Sequence, residues 1–362
     1  MNAERGLFIL LTLVFAGLAA ACSYLLSVAT ARLATSSGAV DMPTGGRKIH
    51  TKPIPLFGGV GIAIAILFAV FIASVSGFLP GVTSLQILGF AVAVAILCIG
   101  GALDDLHSRP PGVQILFPIL AAVAVIVSGT GIIQVTSMSG SGAFSLRWWS
   151  LDAFNISLPS DLITLLWLLF AAYSTKFLDG LDGLVAGMAA IGAGMVGALT
   201  LSPAYFQPGV AILAASVGGS FLGFLPRNIH PAKQFLGEAG STLAGFSLGF
   251  LAIVSSAKIA VALAVLAIPL ADAAIVVFGR VRRGAKPWVG DETHLHFRLL
   301  RAGIPYRTSV FLLWAASFTA GVIALGLQTR GKIFLVVALI MLTLVASWML
   351  NRMARRAMKS DV

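Results

Sequence analysis

Ser174-Thr175-Lys176-Phe177-Leu178-Asp179-Gly180-Leu181-Asp182-Gly183-Leu184 lies between two long apolar runs, Leu162 to Ala172 and Leu184 to Leu201. In a chain with only 10% charged residues, these eleven positions hold three charges and two glycines. Asp179 and Asp182 are three apart, so on a helix both carboxylates would share one face. The glycines permit tight turning and close approach of a ligand to the backbone. The plainer reading is capping, because an Asp just before the run at Leu184 complements that helix's dipole. The flanking runs decide the fold: each is long and apolar enough to be a membrane helix, and the polar stretch joins them at one face.

Working outward, the whole chain follows this pattern. Its 362 residues are 58% hydrophobic, with mean hydropathy +0.99, whereas soluble domains are about half apolar and a quarter charged. Runs of about 18 apolar residues span a bilayer as helices. Such runs fall near 7–29, 56–76, 84–103, 113–128, 161–178, 184–201, 209–225, 241–256, 259–279, 309–327 and 333–350. The expected fold is an all-α polytopic integral membrane protein of about eleven transmembrane helices. Residues 1–350 form one helical domain, and 351–362 are a basic tail suited to anionic lipid heads.

Lys and Arg fix the expected orientation. One set of alternate loops carries 19 of the 24 basic residues, which predicts that set as cytoplasmic, the N-terminus outside and the C-terminus inside. The net charge of +11 is then mainly a topology signal. No soluble stretch is long enough to present a basic patch to nucleic acid, so none is expected as a partner. Ala19-Ala20-Ala21-Cys22 faintly resembles a lipoprotein cleavage site, but the apolar run continues past Cys22, and an uncleaved first span is expected. Cys22 and Cys98 both fall within spans, so no disulfide framework is implied.

The chemistry gathers on the same side. The predicted cytoplasmic segments (30–55, 104–112, 174–183, 226–241, 280–308 and the tail) hold nine of the thirteen acidic residues and all five histidines. The long outside segment, a hairpin expected over 129–160, offers only Arg147-Trp148-Trp149 as an interfacial anchor. A transporter concentrates ionisable groups at the midplane, and here only Asp272 looks intramembrane. Polarity confined to one face suits an enzyme whose water-soluble substrate meets a lipid there.

Asp104 and Asp105 follow a membrane helix, where their charge opposes the helix dipole; paired acids of this kind hold a metal or manage a phosphate proton. Gly237-Glu238-Ala239-Gly240-Ser241 brackets one acid at a helix start, where free backbone N–H groups can receive an anion; Glu238 as an ordinary first-turn acid is the competing reading. Asp291-Glu292-Thr293-His294-Leu295-His296-Phe297-Arg298 lacks a third zinc ligand at the usual spacing, and phosphate binding by His, Arg and Lys fits it better. Arg47-Lys48-Ile49-His50 with Pro55 and Gly58-Gly59 completes the polar segments.

In this order the motifs resemble the polyprenyl-phosphate N-acetylhexosamine-1-phosphate transferase family, of the glycosyltransferase family 4 type. The resemblance covers Pro43 to about Leu300, including Pro269 to Asp272. It implies that undecaprenyl phosphate attacks the β-phosphorus of a UDP-sugar, with Mg²⁺ (or Mn²⁺), at the inner membrane of a bacterium, initiating a cell-surface polysaccharide such as O-antigen. It implies catalytic roles for Asp104, Asp105, Asp179 and Asp182, and a metal environment of Asp104, Asp105 and Glu238. It implies substrate binding by Lys48, His50, Lys176, Asp291, His294, His296 and Arg298. Membrane lipids are expected partners, and a homodimer stays open.

The departures from the family pattern are specific. Lys176 stands where the family has Asn, Glu238 where it has a metal-binding Asp, and Phe297 where it has a third His. Gly112 and Gln114 stand near the places of its lysines. A protonated amine cannot ligate Mg²⁺, so Lys176 is expected to pair with Glu238, Asp179 or Asp182. A catalytically degenerate relative that binds prenyl lipid or polysaccharide-assembly partners is the alternative.

Overall fold

The computed structural model describes residues 2–43, 52–136, 142–151, 156–255, 259–286 and 293–360, with side chains described except at 2, 151, 156, 351 and 353–360. The first part of the chain gives α1 (Asn2–Ser37), the short ladder of β1 (Val40–Asp41) with β2 (Ile54–Pro55), and then α2 (Gly58–Val75) and α3 (Ser84–His107). Next come α4 (Pro111–Gln114), α5 (Leu116–Val127) and two hairpins, β3 (Gln134–Thr136) with β4 (Ala143–Ser145) and β5 (Arg147–Leu151) with β6 (Ile156–Pro159). The remainder is helical: α6 (Ser160–Leu178), α7 (Leu184–Thr200), α8 (Pro208–Asn228), α9 (Gly237–Val254), α10 (Ile259–Arg282), α11 (Leu295–Arg301), α12 (Tyr306–Gly326) and α13 (Thr329–Ser360).

Among the described residues, nine helices are long and apolar enough to cross a membrane. The runs expected at 113–128 and 184–201 correspond to shorter apolar helices, Pro111–Val127 and Leu184–Thr200. At 1.5 Å per residue, the 17 residues of α7 reach about 25 Å, short of a hydrocarbon core of about 30 Å. Many large apolar side chains face outward, including Leu13, Phe71, Phe311 and Phe334, each more than 60% exposed. Apolar surface on that scale suits lipid rather than water.

Several expected boundaries change. The helix expected to stop at 103 continues to His107, so Asp104 and Asp105 sit on its last turn instead of in a loop. Nothing breaks it before Ser108, which takes a left-handed conformation, and Pro110-Pro111 follow. Lys176 likewise lies on α6, and Glu238 in the first turn of α9. By contrast, α6 ends at Leu178, so Asp179 and Asp182 occupy the turn into α7 and share no helical face. The segment expected outside, 129–160, forms two consecutive hairpins among its described residues, not one, with Trp148 and Trp149 largely exposed.

Close backbone contacts set where the helix ends meet. A Cβ on Gly59 of α2 would lie 2.0 Å from the Gly240 nitrogen, and one on Gly101 of α3 would lie 2.2 Å from the Ala239 nitrogen. Both helices therefore press directly on the first turn of α9. On its other side, a Cβ on Gly245 would lie 1.9 Å from the Ala171 carbonyl oxygen of α6. Thr175 Oγ1 donates to the Ser241 carbonyl (2.7 Å) and accepts from the Gly245 N–H (3.0 Å). Deeper in the bundle, Phe90 and Phe250 stack at 4.4 Å between ring centres.

Candidate active site

The packing of α3 and α6 on α9 brings Asp104, Asp105, Lys176 and Glu238 together. The Lys176 ammonium bonds Glu238 Oε1, one of the three partners expected from the sequence, with both side chains less than a fifth exposed. It also donates to Gln114 Oε1 at 2.9 Å. Gln114 Nε2 in turn donates to Asp104 Oδ1 (3.1 Å), Asp104 Oδ2 (3.2 Å) and the Arg109 carbonyl (2.8 Å). The Arg109 N–H donates to Asp104 Oδ1 at 2.7 Å, and the Glu238 N–H donates to Asp105 Oδ1 at 2.9 Å. The result is a closed circuit, Asp104–Gln114–Lys176–Glu238–Asp105, around a small recess walled by Leu97, Gly100, Gly101, Phe117 and Thr242. Asp105 Oδ2 is buried with no hydrogen-bond partner. It faces Gly237, where an added Cβ would come within 2.3 Å and the backbone has φ +69°; only glycine suits that position.

The family resemblance implies a divalent ion among these acids. Asp104 Oδ1 and Oδ2, Asp105 Oδ1 and Glu238 Oε1 already accept from protein donors. Among the described residues no three His, Cys, Asp or Glu groups are arranged to hold a metal ion. As placed, these residues do not fit Mg²⁺.

The turn from α6 to α7 forms the next part of the site. Asp179 keeps an accessible face although protein surrounds it. That burial, followed by the carboxylates of Glu238, Asp105 and Asp182, pushes its carboxyl up to about 8; water at the open face screens part of this push. Asp182 is a fastener: its Oδ2 accepts from His230 Nδ1 (2.8 Å) and the Ala232 N–H (3.1 Å), while its own N–H bonds the Tyr306 hydroxyl. His230 stacks on Tyr306 at 4.0 Å, and the Gly183 N–H donates to Asn228 Oδ1 at 3.1 Å. Asp182 thereby ties the 228–232 segment and the start of α12 to the turn.

The histidine segment packs beneath this turn. His294 Nδ1 donates to Asp272 Oδ2 (2.9 Å), and the Leu295 N–H donates to Asp272 Oδ1 (2.9 Å). Arg280 Nη2 lies 3.5 Å from His294 Nε2. The acid that looked intramembrane thus anchors α11 to α10. His296 is fully buried and lies parallel to His294, with ring centres 5.6 Å apart. Its Nε2 sits under Gly180, where an added Cβ would come within 2.3 Å. Burial, then the neighbouring His294, lowers its pKa to about 3, so the ring is neutral at physiological pH. Arg298 is also buried, donating from Nε to the Thr293 carbonyl (2.5 Å) and from Nη1 to the Ser347 carbonyl of α13 (3.3 Å). In this arrangement His296 packs against the turn at Gly180, and Arg298 joins the start of α11 to α13. Lys48, His50 and Asp291 lie outside the described residues.

Sequence reasoning passed over Gln114 as a coupling residue, and over His230, Asn228 and Tyr306. Gln114 had one available signal, since it is a polar side chain ten residues after Asp104 at the foot of an apolar helix. The partners of Asp182 and Gly183 lie 45 to 124 residues away, and no local pattern marks them.

An apolar helical bundle with a hydrogen-bonded acid–ammonium cluster at one end defines a multi-pass membrane protein with an enzyme-like polar face. Residues 87–256 match the family described as Glycosyl transferase family 4. Three relatives extend the likeness. "Probable undecaprenyl-phosphate N-acetylglucosaminyl 1-phosphate transferase" of Bacillus subtilis (strain 168) is 28% identical over 306 residues, covering 82% of this chain and 80% of the relative. "Decaprenyl-phosphate N-acetylglucosaminephosphotransferase" of Mycolicibacterium smegmatis is 29% identical, covering 81% and 76%. "Undecaprenyl-phosphate alpha-N-acetylglucosaminyl 1-phosphate transferase" of Escherichia coli (strain K12) is 27% identical, covering 79% and 76%.

Proposed function

We propose that this chain is a sugar-1-phosphate transferase that moves the sugar phosphate of a UDP-N-acetylhexosamine onto undecaprenyl phosphate and releases UMP. The observation that carries this reading is the cluster itself, in which four ionisable side chains from three helices meet at one end of an apolar bundle. A lipid phosphate reaches such a site from the bilayer and a nucleotide-sugar reaches it from water. The relatives' names supply the reaction type.

In the reaction a lipid phosphate oxygen bonds to the β-phosphorus, and the bond from that phosphorus to the UMP oxygen breaks. With a dianionic lipid phosphate, charge balances without a proton. A monoanion would pass its proton to a base, and Asp105 Oδ2, buried and unpartnered, is suited to receive it. Lys176 offsets the repulsion between the two approaching anions, and Asp104, held by Gln114 and Arg109, orients the circuit. Asp179 and the turn it opens line the nucleotide-sugar side, with Asp182 holding that turn in place. Lys48, His50 and Asp291 belong to the same proposal as substrate-binding groups on the strength of the family resemblance. No step is assigned to Mg²⁺.

The same proposal sets this end of the bundle at the cytoplasmic face of a bacterial inner membrane, with eleven crossings, the N-terminus outside and the C-terminus inside. Purified protein in liposomes with undecaprenyl phosphate should move label from a radiolabelled UDP-sugar into extractable lipid, one UMP per lipid. If folded protein transfers label from no member of a UDP-sugar panel, the transferase reading fails and prenyl-lipid binding without catalysis takes its place.

A further inference from the structure

We infer that the Lys176 ammonium is a built-in cation of the acid cluster and takes the place of a divalent ion there. This deepens the transferase reading and rests on it for its meaning in catalysis, though the cation's position does not. Three observations carry it. The ammonium bonds directly to Glu238. It is tied through Gln114 (2.9 Å, then 3.1 and 3.2 Å) to both oxygens of Asp104. Asp104 Oδ1 and Oδ2, Asp105 Oδ1 and Glu238 Oε1 are taken by protein donors, and among the described residues no acids converge as an ion site.

Three of the residues that depart from the family pattern, Gln114, Lys176 and Glu238, are consecutive links of this one circuit. A lone Lys in the recess would be an unpaired, partly dry charge. Glu, one methylene longer than Asp, meets it from across the helix interface. Gln114 acts as a positioning residue, since it offers an oxygen to the ammonium and its N–H groups to Asp104. The circuit satisfies the Lys176 ammonium and both oxygens of Asp104, which an Asn–Asp pair awaiting a metal would not do. An ammonium fixed at this spot repels Mg²⁺ and occupies one of the carboxylate oxygens that such an ion would need.

Mn²⁺ binding to the full-length protein in detergent, read by electron paramagnetic resonance, tests this without substrate. The parent should bind Mn²⁺ at this cluster no more tightly than millimolar. Lys176→Asn with Glu238→Asp should bind it at least tenfold more tightly, and adding Asp104→Asn should remove the gain. Lys176→Arg, which keeps the cation, should show no gain. Tight Mn²⁺ binding by the parent that Asp104→Asn abolishes would overturn the inference, and this arm needs no folded Lys176 variant. So would a folded double variant that gains nothing. A parent that transfers no sugar while the Mn²⁺ results hold would defeat the transferase reading alone; transfer by the parent that persists in EDTA would support both.

Discussion

Asp104 and Asp105 are neighbours in sequence but differ in surroundings, and this separates their roles. Both oxygens of Asp104 accept from Gln114, and Oδ1 also from the Arg109 N–H, whereas Asp105 keeps one buried oxygen without a partner. Asp105→Asn should abolish transfer to the monoanionic lipid phosphate, and so cut activity most at low pH, with the protein still inserted and folded, because an amide there cannot take a proton. Asp104→Asn should reduce transfer at least a hundredfold; full activity in both variants, measured as labelled lipid formed, would take the pair out of the mechanism. Asp179 gives a pH test. Surrounding protein and the neighbouring carboxylates push its carboxyl up from the ordinary Asp range, water at its open face limits that push, and the group becomes more fully an anion as pH rises. An anion there repels the diphosphate, and KM for the UDP-sugar should rise as pH climbs from 7 to 9. Asp179→Asn, permanently neutral, should flatten that rise, and an unchanged profile would exclude Asp179 as its source. At this scale the sequence made the ionisable residues plain, because charge is rare in an apolar chain. Their partners were legible only where a departure created a chemical need, as Lys176 did. His296 and Arg298 read as phosphate ligands by type, and only packing shows them buried.

Helix ends at the site are held by glycine contacts, and these fix the catalytic spacing more than any single bond does. Gly59 and Gly101 admit the backbone of α9 at distances no Cβ tolerates. Gly101→Val should push α3 from α9, separating Asp105 from the Glu238 N–H. Overpacking of this kind costs about 1–3 kcal/mol, so thermal stability in detergent should fall and transfer with it. A variant with wild-type melting and activity would show that the interface yields freely. Gly245 offers an independent check at the α6–α9 contact, where valine should displace Lys176. The existence of the helices was legible, since long apolar runs admit little else in lipid. Their ends were not: the charged Asp104-Asp105 pair looked like a loop, yet with no breaker before Ser108 the helix ran on. Asp179-Gly180-Leu181-Asp182-Gly183 could be read as helix or turn, and a backbone with φ +79° at Gly183 settles it as a turn.

Across the whole molecule, the contacts demand that the two short helices reverse the chain. The C-terminal end of α3 and that of α6 meet through Gln114 and Lys176, so the chain between them must return to the far end before α6 begins. Pro111–Val127 is the only helix available among the described residues to make that return. Likewise α6 ends beside Asn228 at the close of α8, while α8 begins against Leu79 and Pro80 at the far end. Leu184–Thr200 must therefore run the height of the bundle between them. Both are short for an unperturbed bilayer, and a thinned or locally polar membrane would meet them there. This geometry and the positive-inside distribution support the proposed arrangement of eleven crossings with the polar cluster inside the cell. In a variant lacking Cys22 and Cys98, single cysteines at the exposed positions 144 and 233 report the two ends. Phe144→Cys should react with an impermeant maleimide on intact cells, and Lys233→Cys only after the membrane is opened. Reaction of both from outside would place the ends on one side and break the eleven-crossing arrangement. The reverse pattern would keep the crossings but turn the molecule over, moving the cluster away from the cytoplasmic pool of nucleotide-sugars that the proposed reaction requires.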